Sequence, residues 1–113
     1  MAELALGNVT SASTVTGSRA TSNRSDPAAV LHCQALQFQA LSTNSGSVYI
    51  CDRETPNLTL DVLAEIPAPN ASPATRPAWT IGNPASANAF NAADFWIVPA
   101  VADEGVRVTI VRT

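Results

Sequence analysis

Apolar side chains recur at every second position in several stretches of the chain, and no stretch sustains the 3.6-residue spacing of a long amphipathic helix. From Val30 to Leu41 one parity carries Leu36, Phe38 and Ala40 while Gln37 and Gln39 fall on the other, the alternation of a strand with one buried face. Ala, Leu and Gln also favour helices, but a strand is preferred because Ser42-Thr43-Asn44-Ser45-Gly46 reads as a turn, followed by the β-prone Val48-Tyr49-Ile50-Cys51. The two strands predict a hairpin. Leu58, Leu60 and Val62 alternate with Thr59 and Asp61, which predicts a third strand, with a helical turn as an alternative over 63–66. Trp79-Thr80-Ile81 is a short strand candidate. Asp94-Phe95-Trp96-Ile97-Val98 and the alternating Val106, Val108 and Ile110 flank the turn Asp103-Glu104-Gly105, which predicts a second hairpin over 94–101 and 106–112.

Two stretches lack such patterning. Gly7 to Asp26 is rich in Ser, Thr, Asn, Ala and Gly, with only Val9 and Val15 as sizeable apolar groups. It buries too little surface to offset its own ordering entropy. Residues 1–29 are therefore expected to be an extended polar arm, and 30–113 a single domain that stays folded when residues 1–26 are removed. Pro67, Pro69, Pro73 and Pro77 exclude helix interior and central strand over 67–78, which reads as a stiff loop. The expected fold is all-β: a small β-sandwich or barrel of six to eight antiparallel strands with an N-terminal arm.

Charged residues make up 13% of the 113 and none is Lys, against roughly 25% charged in ordinary soluble domains. Interfaces are depleted in Lys and Glu and tolerant of Arg, so this composition suits a subunit covered by neighbours; a GC-rich genome would produce the same bias. The net charge of −3 and six scattered Arg argue against a nucleic-acid partner. No apolar run approaches the length of a membrane span. The start MAELALGNVT lacks the basic region of a secretory leader, so synthesis in a bacterial cytoplasm is expected.

The search for chemistry returns little. His32 is the sole histidine, and its strand neighbour Cys33 points to the opposite face. Cys33 and Cys51 are read as buried thiols. The paired acids Asp52 with Glu54 and Asp103 with Glu104 are assigned to solvated turns. No catalytic residue, cofactor or metal ligand is expected. Trp is a frequent interface anchor, so Trp79 and Trp96 are candidate partner contacts. Pro73 and Pro77 join them from the proline-rich loop, and Val9 and Val15 from the arm.

Leu36 to Asp52, with its Asn44-Ser45-Gly46-Ser47-Val48-Tyr49 turn and strand, resembles a pattern in small virion proteins of tailed phages. Asp94-Phe95-Trp96-Ile97-Val98 and the Val-rich 105–111 are similar to the second half of that family. The resemblance covers roughly 30–52 and 94–112 and departs at Cys51, where Gly is common, and at the long proline-rich segment. It implies a capsid decoration or cement protein, a dimer or trimer in the virion that bridges major capsid subunits. A neck, tail or fibre component and a carbohydrate-binding module are the alternatives.

Overall fold

The computed structural model describes residues 2–69, 76–83 and 90–112. The chain is all-β, with strands β1 (Ala2–Thr10), β2 (Ser18–Arg19), β3 (His32–Cys33), β4 (Ala35–Ala40), β5 (Val48–Cys51), β6 (Val62–Ile66), β7 (Ala78–Gly82), β8 (Phe90–Asn91), β9 (Trp96–Pro99) and β10 (Gly105–Arg112). Eight of them build two antiparallel four-stranded sheets, ordered β1-β10-β4-β7 and β2-β9-β5-β6. β3 and β8 pair as a separate ribbon.

The alternation read in β4 and β10 holds. Leu36, Phe38, Ala40, Val106, Val108 and Ile110 are fully buried, and they meet Val48, Ile50, Ile66 and Ile97 of the facing sheet in one core. Phe38 lies at the centre of an aromatic cluster, its ring 5.9 Å from both Trp79 and Phe95.

The connectivity differs from the expected pair of hairpins. β4 and β5 lie in opposite sheets, and so do β9 and β10. β1–β2 and β6–β7 cross between sheets in the same way, so successive strands stack at matching places in the two layers. This is the strand order of a jelly roll, two interlocked Greek keys that bury both sheets against each other. Among the described strands consecutive in sequence, β5 and β6 pair within a sheet. Their connection also corrects the third-strand expectation. Asn57 Oδ1 accepts from Thr59 N at 2.9 Å, and Asn57 N donates to Asp61 Oδ2 at 2.8 Å. These side-chain bonds fold 57–61 into a turn in competition with a ladder, leave Leu58 and Leu60 exposed, and start the strand at Val62.

The expected free arm is not what residues 2–10 form. They pair along the whole of β10 and bury Leu6 and Val9. A bulge between Ala5 and Gly7, with Gly7 at φ +83°, shifts the inward parity so that both apolar side chains reach the core. The outer edge of β1 is also occupied: Asn23 Nδ2 donates to the carbonyls of Leu6 and Asn8 at 3.0 and 2.9 Å.

Candidate functional site

The registers place the C-terminal ends of β1 and β4 beside the N-terminal ends of β10 and β7. The sheet-crossing connections 11–17, 41–47 and 100–104, with the described ends of the proline-rich one, therefore gather at one end of the sandwich. Of the proline-rich connection, 67–69 and 76–77 are described.

Backbone bonds tie these connections together. Asp103 N donates to Ser11 O at 2.7 Å and Ala100 N to Ser47 O at 2.8 Å, while Ala40 N, at the end of β4, donates to Pro77 O at 2.8 Å. Two side chains complete the binding. Asn44 is buried and grips Gly105 from both sides: its Nδ2 donates to Gly105 O at 2.7 Å and its Oδ1 accepts from Gly105 N at 3.3 Å. No larger residue fits at Gly105, because a Cβ there would stand 1.9 Å from Val9 O. The Glu104 carboxylate accepts from Ser45 N and Ser45 Oγ, both at 2.8 Å, and from Gly46 N at 3.0 Å. Desolvation, the largest single influence, raises the Glu104 pKa. The Gly46 and Ser45 amides and the Ser45 hydroxyl together outweigh it and hold the carboxyl below its ordinary value. Asp103 supplies the left-handed turn residue (φ 69°) that precedes it.

The first connection folds on its own serines. Ser11 Oγ donates to Thr16 O at 2.8 Å, and Ser13 Oγ accepts from the amides of Val15 and Thr16 at 3.1 and 3.0 Å. Val15 is left projecting, 61% exposed, and Val101 of the last connection is 40% exposed. This end of the molecule thus offers apolar side chains on loops held by bonds of Ser11, Ser13, Asn44 and Glu104.

The candidate contact residues divide between places. Val15 and Pro77 belong to this loop end, and Pro73 lies outside the described residues. Val9 is 1% exposed and serves the core. Trp79 turns inward, half-buried and stacked on Phe38. Trp96 lies half-buried under the Arg19 guanidinium, 4.3 Å from its ring centroid, while Arg19 Nη1 donates to Ala93 O at 2.7 Å. Glu104 and Asn44 were missed as site residues because a turn acid and a turn amide look solvated until the partner loop is known.

Among the described residues no group of three or more His, Cys, Asp or Glu side chains is placed to hold a metal ion. His32 is exposed on the β3–β8 ribbon, and both cysteines are free and buried. Burial pushes each thiol up to about 11; Arg112 opposes the shift at Cys33, and Asp52 and Asp61 add to it at Cys51. Compared with protein-family models, curated proteins and solved structures, the chain matches none.

Proposed function

We propose that the chain is a structural subunit of a tailed-phage particle, a decoration or cement protein that stabilises the head by bridging major capsid subunits. The observation that carries this reading is the loop end: three connections between the two sheets, bound to one another through Glu104, Asn44 and Ser11, presenting Val15 and Val101 to the outside. Loops ordered in advance lose little entropy on docking, which favours a permanent contact. Two further features support it. The jelly-roll order is one that viral capsid domains use, and the Lys-free, charge-poor composition suits a covered surface.

A carbohydrate-binding module built on Trp79 and Trp96 has less support, because Trp79 is turned into the core and Trp96 is capped by Arg19. A neck, tail or fibre position remains the alternative within the particle. The test is co-sedimentation of the purified chain with assembled shells, with and without Val15→Asp and Val101→Asp. Binding that raises the heat resistance of the shells and is lost in the double variant is expected. Absence of shell binding overturns the cement reading, and imaging of labelled particles distinguishes head from tail.

A further inference from the structure

We infer that the outer face of the β1-β10-β4-β7 sheet binds a neutral oligosaccharide. This goes beyond the virion reading and stands independently of it.

Glu3, Ala5, Gln37, Gln39, Arg107 and Thr109 line one open depression of about 390 Å³, within the range of about 300–1,000 Å³ for small-ligand sites. The register explains it. Ala5, Thr109, Gln37 and Thr80 form one row across four strands, and Arg107 and Gln39 are partners in the next. Gln37 and Gln39 stand on β4, Arg107 and Thr109 on β10, and the flanking β1 contributes Glu3 and the short Ala5.

The chemistry of the lining narrows the ligand. Several amides and hydroxyls among the described residues are engaged, as at Asn23, Asn44, Asn91, Ser11 and Ser13. Among the described residues Gln37, Gln39, Thr109, Arg107 and Glu3 make no side-chain hydrogen bond or ion pair. Two amides, a hydroxyl, a guanidinium and a carboxylate thus converge unspent, able to donate and accept across neighbouring positions. Vicinal hydroxyls, each both donor and acceptor, match that set. One positive and one negative charge leave the depression neutral overall, which disfavours a polyanion or a basic peptide. An added peptide strand is further disfavoured because β10 and β4 are paired on both sides and their backbone groups are spent in the ladders. The absence of an aromatic platform in the lining predicts weak, millimolar binding.

The test is two-dimensional NMR of the full isotope-labelled chain titrated with neutral hexasaccharides of glucose, mannose, galactose and xylose. Shifts centred on the Gln37 and Gln39 side-chain amides and the Arg107 Nε are expected with at least one of the four. Affinity should fall about tenfold or more in Gln37→Ala and in Gln39→Ala and stay unchanged in Trp96→Ala. These are outward-facing positions, and an unchanged spectral dispersion verifies the fold of each variant. No shift with any of the four, shifts centred on the loop end or on Trp96, or a preference for heparin or an acidic peptide overturns the inference. None of those outcomes bears on shell binding, which is read separately.

Discussion

Asn44→Ala tests whether the loop end is held by one buried amide. The substitution removes the acceptor of Gly105 N–H and one of the two donors to Gly105 O; the other, Leu41 N at 3.3 Å, remains. Leaving a buried donor without its acceptor costs about 1–3 kcal/mol, and a lost neutral hydrogen bond about 0.5–1.5 kcal/mol more. The expected loss is therefore roughly 2–4 kcal/mol, a large share of the ~5–15 kcal/mol that holds a small domain together. For a chain of this length it corresponds to a fall in Tm of roughly 8–16 °C. Asn44→Asp sharpens the test. Its carboxylate can still accept from Gly105 N–H, but its second oxygen then faces the Gly105 carbonyl, where Nδ2 stood at 2.7 Å. Only the protonated acid donates there, so burial and that carbonyl raise the folded-state pKa above the ordinary ~3.9. The folded state then binds the proton more tightly than the unfolded one. Stability relative to wild type is greatest near or below pH ~4 and is lost as pH rises through the raised folded pKa. Urea unfolding of wild type and both variants, from about pH 4 to about pH 8, reads this directly. A loss under ~0.5 kcal/mol in Asn44→Ala, or an Asn44→Asp deficit that does not grow with pH, refutes the reasoning.

Glu104→Ala should speed hydrogen exchange at the Ser45 and Gly46 amides several-fold while leaving β4 and β10 protected. Because the folded Glu104 pKa is depressed, the wild-type protection is present above the unfolded pKa and is lost as pH falls through the folded value. With both thiols near 11, each is ionised in only about one part in a thousand at pH 8, and both are buried, so a disulfide reagent should modify Cys33 and Cys51 only after denaturation. Deleting residues 2–10 should leave the chain unfolded or insoluble by circular dichroism and sedimentation. The deletion removes the buried Leu6 and Val9, each worth about 1.5–3 kcal/mol, and strips one of its two partner strands from the full length of β10.

Period-two alternation reports which side chains point inward and is silent about which sheet they point inward from. Phe38 falls on the apolar parity of β4 and Ile50 in the β-prone run of β5, and both are buried. A hairpin would set them on one face of one sheet; the jelly roll sets them on facing sheets across the core, and the two arrangements share the same one-dimensional pattern. The choice lies in long-range pairing, β10 with β4 and β9 with β5, which no local window contains. The N-terminal strand was illegible for a related reason. Leu4 and Leu6 keep one parity, the bulge at Gly7 breaks it, and Val9 resumes on the other, so the run looks unpatterned until its partner supplies the register. The polar depression belongs to the same class. Gln37 and Arg107 are seventy positions apart and unremarkable on their own strands, and only the adjacency of β4 and β10 turns separate outward-facing side chains into one lining. What could be read was therefore the buried parity of β4 and β10. What could not be read was every feature, arch or depression, that exists only once two distant strands lie side by side.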